Sequence, residues 1–236
     1  MTLSIDKALE TFRDGGFVIV TDDADRENEG DLFLLASAAT TEKIGFMIRY
    51  TSGVICVAMT EERSRQLHLP LMVKQNQDTK RTAFTVTVDA KHEITTGISA
   101  KERANTIRAL ADLSSTAEDF IRPGHIFPLI AHEGGLAARR GHTEAIVEMC
   151  KLVGENQVGV ISELVNEDGS MMRGENLTRF ASEQGIPILS IAQLMSALEG
   201  SNKVDSQKEF NLNWAELPRS SSGQLKQWQI ATFLGR

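Results

Sequence analysis

The apolar residues of this chain change spacing several times, from the three-to-four-residue period of helices to the short runs and alternations of strands. The pattern predicts helices over 5–12, 41–50, 99–112, 143–153, 177–184 and 192–198, and a short one after Thr60. It predicts strands over 17–20, 32–36, 53–59, 84–88, 125–130, 158–165 and 186–191, and a turn over 122–124. Ser99 and Glu102 have the spacing of a capping box. Because helices and strands interleave without a regular repeat, we expect a layered α-β domain with a mixed sheet.

Composition and charge narrow the class of protein. The chain has 236 residues, of which 41% are apolar and 24% charged, the proportions of a globular protein. A net charge of −7 gives no general basic surface for nucleic acid or an anionic membrane, so an anionic substrate needs a local basic pocket. No apolar run approaches the roughly 18 residues of a membrane span, and the acidic start is unlike a signal peptide. The two cysteines, Cys56 and Cys150, are interpreted as free thiols, so we expect a cytoplasmic protein.

The most unusual segment is an acidic loop over residues 22–31, between two predicted strands. Six of its ten residues are acidic. In an extended chain, four of the carboxylates would point to one side: Asp25, Glu27, Glu29 and Asp31. Clustered carboxylates repel one another unless a cation or a proton compensates, and Mg²⁺ with oxygen ligands is a natural compensator. A solvated acidic turn explains the pattern about equally well, although Arg26 and Gly30 favour a site.

A basic segment leads into the helix predicted from 143. It reads Arg139-Arg140-Gly141-His142-Thr143. Backbone N–H groups at a helix start hold anions, and the two arginines and the threonine hydroxyl add donors suited to a phosphate. A neutral imidazole at His142 can also ligate a metal ion. From this segment alone, an arginine-flanked helix start with a surface histidine is slightly the better interpretation.

Two further groups are candidates for proton transfer. Glu163 lies on the same face of its predicted strand as Ile161 and Val165, where a carboxylate is unusual. A strand-end glutamate that reaches water or a partner explains it equally well. His125 could act as an acid or base, although a lone loop histidine is more often structural. Cys56, within an apolar strand, is more typical of the core than of a nucleophile.

Taken together, these segments resemble one family, 3,4-dihydroxy-2-butanone 4-phosphate synthase. The matching stretches are DDADRENEGDL from Asp22, TSGVICVAM from Thr51, TTGISAKERANT from Thr95, RPGHIFPL from Arg122, RRGHTEA from Arg139 and GVISELVNEDGSMMR from Gly159. The resemblance covers residues 3–199, and six segments in one order are far more specific than any one of them.

The resemblance implies an α+β fold for residues 1–199, a three-layer α-β-α domain with a mixed sheet. It implies a lyase of riboflavin biosynthesis that converts D-ribulose 5-phosphate into L-3,4-dihydroxy-2-butanone 4-phosphate and formate. It also implies a Mg²⁺ or Mn²⁺ cofactor and a homodimer.

The resemblance further implies roles for individual residues. The metal would be held by Glu27 and His142, which should therefore share one ion. The sugar phosphate would be contacted by Arg26, Glu27, Asp31 and Glu163. Its phosphate end would be held by Arg139, Arg140, Gly141, His142 and Thr143. Catalysis would depend on His125 and Glu163. Other residues in site-forming motifs are Glu29, Cys56 and Thr106.

The tail, residues 200–236, departs from the family. After a polar linker it resembles the opening of a GTP cyclohydrolase II-type domain, the usual fusion partner. The zinc-binding cysteine cluster of that domain is missing, since Cys56 and Cys150 are the chain's only cysteines. The chain is thus either cut from a longer protein or carries a vestige, and we expect no GTP cyclohydrolase activity.

Two alternatives to the synthase remain. A non-catalytic metal- or phosphate-binding module would have no need of His125 and Glu163 as proton-transfer groups. A different metal-dependent sugar-phosphate isomerase or aldolase would share the metal and phosphate sites, so identification of the product would be needed to separate it from a synthase.

Overall fold

The computed structural model describes residues 5–23 and 25–199, so the interpretation of 200–236 lies outside the described residues. The helices in this part of the chain are α1 (Ile5–Arg13), α2 (Thr41–Tyr50), α3 (Glu61–Gln66), α4 (Ala100–Ala111), α5 (Gly135–Ala138), α6 (His142–Leu152), α7 (Gly174–Gln184) and α8 (191–199). The strands are β1 (Val18–Thr21), β2 (Gly30–Leu35), β3 (Cys56–Met59), β4 (Val88–Ala90), β5 (Phe120–Ile130), β6 (Val158–Glu163) and β7 (Ile188–Ser190). Residues up to Ala197 form one compact unit.

The seven strands form one mixed sheet in the order β4-β5-β3-β6-β2-β1-β7. β3 runs parallel to β5, and β1 runs parallel to β7, while the other neighbours are antiparallel. The predicted α+β fold with a mixed sheet is therefore confirmed.

The two faces of the sheet are covered by different helices, which gives the three layers. On one face, Leu32, Leu34, Val57 and Val160 join a single buried cluster with residues of α2, α4 and α7. α1 and α6 also pack on the sheet but contribute no residue to that cluster, since they cover the opposite face. The period of two in strands sends alternate residues to that second face, and these are Phe33, Cys56 and Ile161.

One glycine allows α6 to approach the sheet closely. A methyl group on Gly159 of β6 would overlap Cγ1 of Ile146 in α6 and lie 3.4 Å from Sγ of Cys150. The missing side chain therefore lets α6, which begins at His142, pack closely on the sheet face that carries Phe33. The His142 and Phe33 rings meet edge to face, with centroids 6.1 Å apart.

Local signals fix several helix ends as the sequence predicts. At α4, Ser99 and Glu102 form both hydrogen bonds of a capping box, and α2 has the predicted bounds. α7 ends at Gly185, whose φ of +65° is the left-handed conformation that glycine adopts without strain.

Two predictions around β4 and β5 are wrong. The alternating run 84–88 is not a strand, since Phe84 and Thr85 form isolated bridges and β4 begins at Val88. The turn predicted over 122–124 lies inside β5, where the β4–β5 register shifts. A side chain on Gly124 would overlap the Val88 backbone, so glycine here permits close approach at a strand irregularity rather than a reversal of the chain.

Candidate active site

The acidic loop between β1 and β2 is folded around Asp22. One oxygen of this buried carboxylate, Oδ2, accepts hydrogen bonds from Arg26 Nη1 and from the Glu27 N–H, both at 3.0 Å. Its other oxygen accepts from the Glu29 N–H at 2.9 Å. The loop is not extended, so the condition for aligning its four carboxylates is not met: residues 25–27 turn around Asp22 and leave Asp25 exposed.

Cations from distant segments hold this loop in place. Arg173, which precedes α7, donates to the carbonyl oxygens of Asn28 and Glu27 at 2.8 and 3.1 Å and pairs with the Glu29 carboxylate at 2.8 Å. Lys80 Nζ donates to the Arg26 carbonyl at 2.8 Å. The carboxylates of the loop are thereby presented on a braced backbone.

Three side chains meet where this loop enters β2, and we call them the Glu27–Asp31–His142 corner. His142 Nδ1 lies 3.4 Å from Asp31 Oδ1 and 3.9 Å from Glu27 Oε2. Arg26 Nη1 lies 2.6 Å from the same Glu27 oxygen. Asp31 and His142 are only 3% and 6% exposed, so the corner is screened from water although Glu27 is half-buried. Four residues to which the resemblance assigns metal or substrate contacts are thus in mutual reach.

The corner carries more buried negative charge than the protein compensates. Burial, and then the nearby Glu163, Glu27, Glu29 and Asp22 carboxylates, raise the pKa of Asp31 well above its usual range. Burial lowers the pKa of His142 to about 4, which leaves a neutral imidazole with a free lone pair at neutral pH.

Unpartnered atoms show that the corner suits a cation. Among the described residues, the buried side-chain atoms without a hydrogen-bond partner are Asp31 Oδ1, His142 Nε2 and Arg103 Nε. Two of these three atoms belong to residues of the corner, although the ring nitrogen of His142 that faces the Glu27 and Asp31 carboxylates is Nδ1 rather than Nε2. Carboxylate oxygens and a neutral imidazole fit a divalent ion, although no cluster of three or more potential ligands occurs in the described part of the chain. Water or substrate oxygens would have to complete the coordination.

Glu163 stands next to the corner at the end of β6. It pairs across the sheet with Asp31, and its Oε2 accepts a hydrogen bond from Ser52 Oγ at 2.7 Å. Cys56 lies on the same face in the next strand, and burial followed by the charges of Glu163 and Asp31 raises the pKa of its thiol. The cysteine therefore stays protonated, as expected of a core residue rather than a nucleophile.

Arg139 is occupied by protein partners. Its guanidinium pairs with the buried Glu144 carboxylate at 2.6 Å and donates to the Lys80 carbonyl and to Thr82 Oγ1 at 3.3 and 3.2 Å. A side chain on Gly141 would overlap Arg139 Nη1, so this glycine makes room for the ion pair. More open to an anion at the start of α6 is Arg140, whose side chain is about half exposed and pairs with Asp23 at 3.4 Å.

His125 lies in β5, on the sheet face that carries Glu163 and Cys56, but apart from the corner. Its partner is Asp89 of β4, and we call these two the His125–Asp89 pair. Nδ1 of the ring lies 2.6 Å from Asp89 Oδ2, and the His125 N–H donates to Asp89 Oδ1 at 2.9 Å. No hydrogen bond or ion pair among the described residues links His125 to Glu27 or His142.

Sequence reasoning missed Asp22 and Asp89, which organise the two halves of the site. Asp89 carried a usable signal, since it is a charge between the apolar residues Val88 and Ala90. Thr106, a lower-ranked candidate, is fully buried; its hydroxyl accepts from the Ala90 N–H at 2.9 Å and donates to the Glu102 carbonyl at 3.1 Å.

Comparison with known proteins gives this geometry a family. A family model described as 3,4-dihydroxy-2-butanone 4-phosphate synthase matches residues 6–197. The chain belongs to this family. The resemblance found in the sequence is thereby confirmed.

Known synthases share both sequence and fold with the chain. It is 50% identical to the 3,4-dihydroxy-2-butanone 4-phosphate synthase of Candida albicans over 192 residues, which are 81% of this chain and 94% of that protein. It is 53% identical to the chloroplastic bifunctional riboflavin biosynthesis protein RIBA 1 of Arabidopsis thaliana over 194 residues, 81% of this chain but 36% of that protein. The chain spans less than half the length of several such relatives.

A solved structure described as a synthase in complex with two magnesium ions is 43% identical, with a TM-score of 0.82. The match covers 85% of this chain and 98% of that one. Within the described residues, no helix has the combination of length and apolar character that spanning a bilayer requires.

Proposed function

We propose that this chain converts D-ribulose 5-phosphate into L-3,4-dihydroxy-2-butanone 4-phosphate and formate, a step of riboflavin biosynthesis. The observation that carries the proposal is the Glu27–Asp31–His142 corner, whose buried, unpartnered atoms lie within a domain of the synthase family. A cytoplasmic location is part of the proposal, although a relative named as chloroplastic indicates that the compartment varies.

The proposed cofactor is Mg²⁺, with Mn²⁺ as a substitute, held by Glu27 and His142. The bound ion would supply Lewis-acid stabilisation of negative charge on the sugar oxygens. The buried excess of carboxylate charge supports this assignment, because a divalent cation offsets it. Asp31 would orient sugar hydroxyls, and Arg26 would neutralise charge at the open side of the corner.

The chain's own residues would move the protons. The reaction needs proton transfers at different carbons, so separate acid and base groups are required. His125 and Glu163 lie on one sheet face with only β3 between their strands, which supports their assignment as these groups. Arg140, Gly141 and Thr143 at the start of α6 would hold the phosphate, with Arg139 bracing that turn through Glu144.

A homodimer belongs to the same proposal. Ile98 and Ile121 are 50% and 43% exposed; Ile98 follows Gly97, which packs on the His125–Asp89 pair, and Ile121 is the strand partner of Asp89. Contiguous exposed apolar surface marks interaction sites, and a dimer contact that covers these two residues is our proposal. Sedimentation equilibrium should give twice the chain mass, and Ile98→Asp should shift it toward the monomer.

The decisive experiment is incubation with ribulose 5-phosphate in Mg²⁺ and then in EDTA, followed by ¹³C NMR of the products. Formate and a four-carbon ketose phosphate, formed only with metal, would support the synthase. A five-carbon isomer or an aldol cleavage product would indicate the isomerase or aldolase alternative. Metal-dependent binding without turnover would indicate the binding module.

A matched pair of variants lies within the acidic loop. Glu27→Gln should abolish turnover, while Asp25→Asn, two residues away and exposed, should leave it unchanged. Equal losses in both variants would show that loop charge, rather than the Glu27 carboxylate, supports the reaction.

A further inference from the structure

The His125–Asp89 pair has the geometry of an oriented histidine. Both Asp89 oxygens bind His125, one at the ring nitrogen Nδ1 and the other at the backbone N–H, so ring and main chain are fixed together. Asp89 is 2% exposed, whereas the His125 side chain is 41% exposed. The ring is therefore anchored on its Nδ1 side, while its other edge is open to solvent.

A glycine closes over the pair. A methyl group on Gly97 would overlap Asp89 Oδ2 and lie 2.9 Å from His125 Nδ1, so the loop backbone packs directly on the hydrogen bond. Glu102 holds this loop by accepting hydrogen bonds from Thr95 Oγ1 at 2.6 Å and from the Gly97 N–H at 3.2 Å. The carboxylate–imidazole contact is thereby shielded from water on that side.

Two neighbouring residues, Thr106 and Arg103, fix the backbone beside Asp89 and add a positive charge near it. The hydroxyl of buried Thr106 accepts from the N–H of Ala90, which fixes the strand beside Asp89. Arg103 is buried nearby; burial lowers its pKa, and the Asp89 charge raises it. The positive charge of Arg103 is thus within electrostatic reach of Asp89. A carboxylate can only accept hydrogen bonds, so the proton between it and His125 Nδ1 belongs to the ring.

We propose that Asp89 is a positioning residue for His125, holding the ring proton on Nδ1 so that the Nε2 lone pair faces the substrate side. The proposal rests on the proposed function, in which His125 transfers protons. In that role Nε2 takes a proton from the substrate, the ring becomes an imidazolium, and Asp89 stabilises it without being protonated. Return of the Nε2 proton to a later intermediate restores the neutral ring.

The tautomer can be measured directly in the unaltered protein. The chain has five histidines, so ¹⁵N-histidine labelling gives few signals, and His125→Gln identifies those of His125. Long-range ¹H–¹⁵N spectra of the neutral ring should show Nδ1 protonated and Nε2 bare. A ring protonated on Nε2, or a mixture like that of free histidine, would overturn the proposal.

Asp89→Asn separates positioning from folding. The amide nearly matches the carboxylate in shape but can donate to Nδ1, which would favour the tautomer protonated on Nε2. We expect kcat to fall by about 100-fold or more, the effect of a misplaced general base, with KM within about threefold. Unchanged kcat with the ring switched to the Nε2 tautomer would contradict the role.

A pair of glycine variants supplies an independent check. Gly97→Ala places a methyl group on the pair, whereas Gly154→Ala carries similar backbone strain, with φ of +77° against +86°, and meets no atom within 4 Å. Only Gly97→Ala should lower kcat and broaden or shift the His125 signals. If the wild type shows the expected tautomer but no synthase turnover, the proposed function fails and the positioning stands. Turnover with the opposite tautomer would overturn the positioning and leave the proposed function standing.

Discussion

The Glu27–Asp31–His142 corner and the His125–Asp89 pair lie on the same face of the sheet, yet they differ in how their buried polar atoms are satisfied. In the corner, Asp31 Oδ1 and His142 Nε2 are buried without hydrogen-bond partners. In the pair, both Asp89 oxygens are satisfied by His125. A buried polar atom without a partner costs about 1–3 kcal/mol, so a bound ligand would stabilise the corner, whereas in the pair the chain itself satisfies the buried carboxylate.

The largest effect should come from removing one of the two proposed metal ligands in the corner. His142→Gln should abolish synthase turnover and the rise in melting temperature on adding Mg²⁺. At about 100 times its dissociation constant an ion adds about 2.7 kcal/mol, a shift that calorimetry resolves. Asp25→Asn is the control and should keep both. If Mg²⁺ raised the melting temperature of His142→Gln as much as that of the wild type, the ion would bind elsewhere. The unsatisfied atoms of the corner would then not mark a metal site.

The next effect concerns how the fold delivers His142 to the corner. Gly159→Ala puts a methyl group into Ile146 and should destabilise the protein by about 1–3 kcal/mol while pushing α6 outward. Gly45→Ala, within α2 with only Ala100 Cβ near at 3.9 Å, should stabilise by up to about 1 kcal/mol. Urea unfolding measures both. Equal stability changes would mean that α6 is not tightly seated on the sheet.

A smaller effect is expected from loosening the loop that carries Glu27. Arg173→Lys keeps the charge but loses the forked contacts with the Asn28 and Glu27 carbonyls and the Glu29 carboxylate. We expect a KM increase of up to about fivefold with a small change in kcat, since an exposed ion pair contributes about 0–1 kcal/mol. Arg179→Lys on α7 is the control. A selective loss of kcat would show that Arg173 acts on the chemistry.

The smallest effect is a pH dependence of protein stability that comes from Glu102, which holds the loop carrying Gly97. Hydrogen bonds from Thr95 lower the pKa of Glu102 to about 2 from its usual 4.5. A depressed carboxyl pKa stabilises the fold above the unfolded value, and that contribution is lost as pH falls from 4.5 toward 2. Glu102→Gln should therefore lose stability at pH 7 and show a flatter acid dependence in that window. If the stability of Glu102→Gln fell with pH as steeply as that of the wild type, the Glu102 carboxylate would not stabilise the loop that carries Gly97.

The sequence predicted correctly those helix ends that depend on interactions between residues close together in the chain. The bounds of α2, the capping box at Ser99 and the end of α7 at Gly185 each depend on residues within a few positions. His125, the partner of Asp89, is 36 residues away and meets it only through the pairing of β4 with β5. The sequence around Asp89 therefore does not identify its partner. Phe84 and its neighbours alternate like a strand but form only bridges.

In the candidate site, too, the sequence predicted some features and not others. The six motifs indicated Glu27, Asp31 and His142, and the fold brings them into mutual reach from distant parts of the chain. The organising role of Asp22 was not foreseen, because it depends on a loop that curls instead of extending. The metal, the phosphate contacts and the proton-transfer roles stay predictions for the experiments above.

The parallel pairing of β1 with β7 has a consequence for the order of folding. Ile19 of the first strand lies beside Ile188, so the sheet joins segments about 170 residues apart. During synthesis, β1 must wait for β7 with one edge unpaired, and such an edge invites pairing with another chain. Contacts of this span also slow folding, because a long loop must close before they form. A nascent chain stalled before residue 188 should thus be more prone to aggregation than the released domain.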